Sequence, residues 1–182
     1  MLYRVLKQFK VVTDFYGLEL FNSDKILRIA EIFTRPKKRY FLGWKGTDMG
    51  HFANIREELQ EEVTDGIVNS FILHRLGGGH SFDSLDLVVR EIERLGYNQF
   101  MDFSGENMVG IHEELDLNVK VMLCPVLKYP LLLEIEKMAV TIEDALEVEK
   151  ELQTFVRVHQ LQQRVVRQEP PSLLFSTTLS SP

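Results

Sequence analysis

The sequence predicts an α+β protein built on an antiparallel β-sheet that is closed or strongly curved. Three observations predict it. Several segments alternate apolar and polar side chains with period two, whereas two segments carry a clear helical period. Turn-forming clusters, Asn22-Ser23-Asp24 and Arg35-Pro36-Lys37-Lys38, separate neighbouring strand candidates.

Taken in order, residues 1–12 set Leu2, Arg4 and Leu6 against Tyr3, Val5 and Lys7, the pattern of a half-buried strand. Residues 15–21, 25–33 and 39–45 are further strand candidates, and 55–63 reads as strand or helix. A helix follows, because Leu85, Val88, Val89, Ile92 and Leu95 fall on one helical face. Asp83 or Ser84 can cap it and Gly96 can end it. Residues 115–123 and 131–136 read as strands joined by 124–130. A second helix opens on the capping-box-like Thr141-Ile142-Glu143-Asp144 and extends to about Gln168, with Ile142, Ala145, Leu146, Leu152, Phe155 and Val156 on one face. Acids near its start and Arg157, Arg164 and Arg167 near its end suit the helix dipole. The Pro-, Ser- and Thr-rich end reads as a flexible tail, with docking of Leu173, Leu174 and Phe175 on the body as the alternative. The expected organisation is one domain over 1–167 and a tail over 168–182.

A chain of 182 residues, 45% hydrophobic and 26% charged, can bury a core without disulfides or a structural metal. Its one cysteine, Cys124, can form no intrachain disulfide, which fits a reducing compartment. No apolar run approaches the roughly 20 residues of a membrane span. The N-terminus lacks a signal-peptide core, so a cytoplasmic protein is expected, with no membrane partner. The net charge of −6 argues against nucleic-acid binding. It leaves room for a small polyanion held by a few inward-facing cations.

The informative charges sit at period two within strand patterns. Glu134 and Glu136 share a face, as do Arg56 and Glu58 if that segment is extended. Arg28 and Lys45 each stand among apolar residues. Facing inward together, these residues would set three cations beside three carboxylates. Cations of this kind neutralise phosphate oxygens, Arg often bidentately, and paired carboxylates can hold Mg²⁺ or Mn²⁺. Taken singly, each of these charges also fits an ordinary solvated surface. Gly77-Gly78-Gly79 lacks the pattern of a phosphate-binding loop, and the histidines at 51, 74, 80, 112 and 159 show no metal-ligand spacing. Cys124 has no nucleophile context.

The order of these segments adds to the reading. Thr13-Asp14-Phe15-Tyr16, Leu27-Arg28-Ile29, Trp44-Lys45-Gly46, Arg56-Glu57-Glu58, Leu95-Gly96-Tyr97 and Leu133-Glu134-Ile135-Glu136 follow one another in the chain. The succession resembles the CYTH family of class IV adenylate cyclases and thiamine triphosphatases, over roughly residues 13–161. The resemblance implies an eight-stranded antiparallel tunnel-like barrel, complete or lacking a strand, with flanking helices. It implies a triphosphate compound as ligand (ATP, thiamine triphosphate or tripolyphosphate), Mg²⁺ or Mn²⁺, and hydrolysis of the triphosphate or cyclisation of ATP. By position Arg28, Lys45 and Arg56 would bind phosphate, and Glu58, Glu134 and Glu136 would bind metal. No residue is assigned to the chemical step.

The chain also departs from the family. Residues 1–12 hold no Glu or Asp where an ExExK strand is normal, and Ala30 replaces the second Arg of LRxR. Residues 98–103 lack the Lys and Arg of the KxR strand, and Cys124 stands where an Asp is usual. Two other functions therefore stand beside the enzyme: a non-catalytic nucleotide- or polyphosphate-binding module, and an interaction protein using the helix from Thr141. Residues 1–12 are expected to fill the first strand's place within the chain or to pair across a homodimer.

Overall fold

Strand β1 covers Tyr3–Tyr16 as one 14-residue element, where the sequence suggested two. Gly17 stops it. Its φ is 73°, and a Cβ there would lie 2.8 Å from the Tyr97 ring. The chain turns into helix α1, Leu18–Asn22, so the strand expected over 15–21 ends at Tyr16. Strands β2 (Ile26–Thr34), β3 (Lys37–Lys45) and β4 (Glu58–Glu62) follow, then helices α2 (Phe71–Arg75) and α3 (Leu85–Arg94). Strands β5 (Gln99–His112), β6 (Leu117–Leu123) and β7 (Leu131–Glu136) precede helices α4 (Ile142–Val158) and α5 (Pro170–Leu179). The chain is known from a computed structural model, which describes residues 3–34, 36–112, 116–123 and 131–179. Cys124 and the 124–130 connection lie outside the described residues.

Among those residues the sheet has seven strands in the order β4-β3-β2-β1-β5-β6-β7, with β1–β2, β2–β3, β3–β4, β5–β6 and β6–β7 paired antiparallel. The N-terminal segment thus sits inside the strand order rather than at its end. The chain divides into two compact units. One comprises Phe9–Thr47 and Arg56–Gly105; the other comprises Met1–Gln8, Asp48–Ile55 and Glu106–Pro182.

In the first unit, Leu27 pairs with Trp44 and Ile29 with Leu42, so these four side chains share one face of the sheet. That face packs with Ile72 and Leu73 of α2 and Val88 and Ile92 of α3 into a buried core. Each such side chain contributes roughly 1.5–3 kcal/mol by leaving water. Helix α3 matches its sequence pattern: Ser84 accepts a hydrogen bond from the Leu87 N–H, and Gly96 at φ 93° follows its end. Helix α2 has five residues, too few to show a period; Ser70 caps it by accepting from the Leu73 N–H.

In the second unit, His112 pairs with Leu117, and both are buried. Phe155 of α4 meets the His112 ring edge-on at 5.6 Å, which fixes α4 against that face. Helix α4 starts on the expected capping box, with Thr141 and Asp144 each accepting from the other's backbone N–H. It ends at Val158, ten residues before the expected stop at Gln168. Gln160 takes a left-handed φ of 55°, and the Leu161 N–H reaches back to the Val156 carbonyl at 2.9 Å. Where a flexible tail was expected, Pro170–Leu179 form α5, with Leu174 buried.

Candidate functional site: charged sheet faces

Of the first unit's charges, Lys38 and Glu31 pair on the α2/α3 core face, and a second set lies on the opposite face. Arg28 stands opposite Gly43 on β3, and Gly43 opposite Gln60 on β4. One pleat away, Lys45 stands opposite Glu58; on the other side, Phe41 stands opposite Glu62. Arg28, Lys45 and Glu58 therefore share one face. Val11, Thr13 and Phe15 of β1 belong to this face too and are buried.

Two cations of the face are matched by carboxylates. Lys45 Nζ lies 2.7 Å from Glu58 Oε1. Arg39 grips Glu62 with both arms of its guanidinium, Nε at 2.8 Å from Oε1. That grip and a bond from the Thr64 hydroxyl hold the Glu62 pKa down to about 2. Sequence reasoning missed the Arg39–Glu62 pair, although both residues lie in segments read as possible strands. Arg28, partly buried between these pairs, has no hydrogen-bond or ion-pair partner among the described residues. It lies flat across Gly43: a Cβ at position 43 would meet Arg28 Nε at 3.0 Å and Cγ at 3.2 Å. The missing side chain of Gly43 thus makes the bed for this guanidinium. Arg28 and Lys45 are diagonal neighbours, which places their stems about 7–8 Å apart.

Arg56 lies elsewhere. It precedes β4, and its side chain is 8% exposed. Its guanidinium donates to Asp24 Oδ1 at 2.8 Å, to the Asp24 carbonyl at 2.9 Å and to the Gly46 carbonyl at 2.7 Å. Asp24 itself sits in a left-handed turn at φ 59°. Arg56 thus ties the turn before β2 to the end of β3, and its donors serve the fold.

In the second unit, Glu134 and Glu136 share a face of β7, as predicted. Between them sits a residue the sequence reading did not single out. Lys120 of β6 stands directly opposite Glu134, pairs with its carboxylate, and lies 3.4 Å from Glu136 Oε1. The period-two signal was present at Lys120, since it alternates with Val119 and Val121. Among the described residues, no group of three or more His, Cys, Asp or Glu side chains is gathered so as to hold a metal ion. The carboxylates expected to bind metal are each engaged by an ammonium group: Glu58 by Lys45, and Glu134 and Glu136 by Lys120.

The second unit also contains a carboxylate that no motif announced. Glu149 of α4 is 6% exposed, and its Oε1 accepts from three successive backbone N–H groups. These are His51 at 2.9 Å, Phe52 at 2.6 Å and Ala53 at 2.9 Å. Asp48 Oδ1 closes the same loop by accepting from the N–H groups of Gly50 and Ile55, each at 2.9 Å. Burial pushes the Glu149 pKa up, but the three backbone bonds and the nearby His51 outweigh it and leave it lowered.

The fold defines a class: an α+β protein with an antiparallel sheet that carries cross-strand ion pairs in each of its two units. No protein-family model matches the chain, and neither does any curated protein. Solved structures do match. The PH1819 protein from Pyrococcus horikoshii OT3 superposes with a TM-score of 0.74 at 15% identity, over 96% of this chain and 88% of that one. A conserved hypothetical protein from Pyrococcus furiosus gives 0.63 at 14% identity, over 94% and 86%. A Vibrio parahaemolyticus protein named as a putative adenylate cyclase gives 0.64 at 13% identity, over 100% and 86%. At these identities the likeness is one of fold. No helix of the described residues is long and apolar enough to cross a membrane.

Proposed function

We propose that this chain is a CYTH-like protein that binds a triphosphate compound, with Arg28 and Lys45 receiving phosphate oxygens. One observation carries the reading: Arg28 is a partly buried arginine, set between two ion pairs and lacking a carboxylate of its own among the described residues. An always-charged guanidinium in that position attracts an anion, and its planar fork suits phosphate. The order of the sequence motifs and the fold likeness to a protein named as a putative adenylate cyclase support the same reading. ATP, thiamine triphosphate and tripolyphosphate share the required chemistry. Binding has more support than turnover, because no residue is assigned to the chemical step. In this reading Mg²⁺ or Mn²⁺ travels on the triphosphate.

Thermal unfolding tests it. A ligand that binds the folded chain alone raises the midpoint in proportion to RT ln(1 + [L]/Kd). Tripolyphosphate should raise the midpoint of the wild type and raise that of Arg28→Gln much less. No shift in the wild type, or equal shifts in both, would refute the assignment.

A second reading has its own observation. Met138, Val140, Ile142 and Leu146, before and along the start of α4, are exposed despite being apolar, Val140 to 96%. Such a cluster fits a contact with a second copy of the chain. Sedimentation of the wild type as a dimer, and of an Ile142→Glu/Leu146→Glu variant as a monomer, would support it; a monomeric wild type would exclude it.

A further inference from the structure

We propose that Lys120 occupies the place a divalent cation would take between Glu134 and Glu136, so the chain itself neutralises this carboxylate pair and it holds no Mg²⁺ or Mn²⁺. The inference concerns the metal alone and stands independently of triphosphate binding.

The geometry points to Lys120 in three steps. Strand pairing sets Lys120 directly opposite Glu134, and Glu136 one pleat further along the same face. The one ammonium group therefore reaches both carboxylates, ion-paired with Glu134 and 3.4 Å from Glu136 Oε1. Lys120 and Glu134 are about three-quarters drawn from water, so their attraction is less screened than that to Glu136, which is half exposed.

A divalent ion needs the opposite arrangement. Mg²⁺ requires oxygen ligands at about 2.0–2.1 Å in near-octahedral order, supplied by carboxylates free to turn toward it. Here the carboxylates are turned toward an ammonium, and an incoming cation would meet a like charge within a few ångströms. The other lysine at hand, Lys137, is bonded to Glu151 of α4 at 2.8 Å and so is committed elsewhere. Lys120 alone balances the pair among the described residues: two carboxylates and one ammonium leave one net negative charge, and removing the ammonium leaves two.

The test is a Mn²⁺ titration of the nucleotide-free chain, followed by electron paramagnetic resonance of the free ion. Wild type, Lys120→Met, Lys120→Gln and Glu134→Gln/Glu136→Gln are compared, each first confirmed folded by circular dichroism. The expected result is no site on the wild type in the low-millimolar range and a single new site on both Lys120 variants. Their affinity should be about tenfold tighter or more, as removal of a like charge at short range implies. A wild-type site lost in the Glu134→Gln/Glu136→Gln variant would overturn the proposal. So would the failure of both folded Lys120 variants to gain Mn²⁺. If the Lys120 variants fail to fold, the wild-type titration still decides: a Mn²⁺ site that Glu134→Gln/Glu136→Gln abolishes overturns the proposal, and no such site upholds it.

Discussion

Gly43 lies directly across the β2–β3 pair from Arg28, and the arginine's stem fills the volume a side chain at 43 would occupy. Arg28 Nε and Cγ are 3.0 and 3.2 Å from that volume. Since the obstructing atoms belong to a flexible side chain, Gly43→Ala should cost little stability while moving the guanidinium. A charge-assisted bond to phosphate contributes roughly 1.5–3 kcal/mol. Losing one should weaken tripolyphosphate binding about tenfold or more. Calorimetry on Gly43→Ala checks this; unchanged affinity with an unchanged melting point would show that Arg28 does not need its bed.

Arg56 provides the contrasting case. Its three donors close a turn within the first unit, and the side chain is nearly out of solvent. Arg56→Ala should lower stability by about 1–3 kcal/mol, a buried-pair loss reduced because Asp24 is half exposed. Ligand affinity measured on the folded variant should stay within about twofold. Chemical denaturation paired with calorimetry separates the two effects. A large loss of affinity without a loss of stability would return Arg56 to the phosphate site.

Acid should loosen the chain in a defined window. Glu62 and Glu91 are held down to about 2, each first by an arginine and then by a further hydrogen bond, from Thr64 and the Gly79 N–H respectively. Glu149 is lowered as well, its backbone bonds overcoming its burial. A carboxylate with a depressed folded-state pKa contributes stability above its unfolded value near 4.5 and loses it as pH falls through the folded value. Denaturation midpoints should therefore be level above about pH 5 and fall steadily from about pH 4.5 toward pH 2. Glu149→Ala should cost about 2–3 kcal/mol at neutral pH, since it strands three backbone donors. A flat profile down to pH 3 would contradict this account.

Strand and helix existence was legible where one physical signal acted alone. Leu85 to Leu95 showed a helical stripe and a cap, and α3 formed there. The Thr141 box started α4 as expected. Its end was not legible, because the stop is a left-handed Gln160 and not the glycine that usually marks one. The break at Gly17 was hidden for a similar reason: strand-like residues continue through Phe21, and the close approach of Tyr97 appears only in three dimensions. At the charged faces, period two correctly put Glu134 and Glu136 on one side of their strand, whereas the shared face of Arg28, Lys45 and Glu58 follows from the pairing of β2, β3 and β4. Spacing along one strand cannot reveal cross-strand partners, so Lys120, Arg39 and Glu62 were missed and Arg56 was grouped with the wrong set.

The most direct test of the central claim is the dependence of affinity on ligand charge. Calorimetric titrations of ATP and AMP into the wild type and Arg28→Gln, at fixed ionic strength, make that comparison on one base and one ribose. Attraction to Arg28 and Lys45 should scale with the number of phosphate charges. ATP should bind the wild type about tenfold tighter than AMP or more, and Arg28→Gln should lose most of that preference. Equal affinity for ATP and AMP, or binding of neither, would contradict the account.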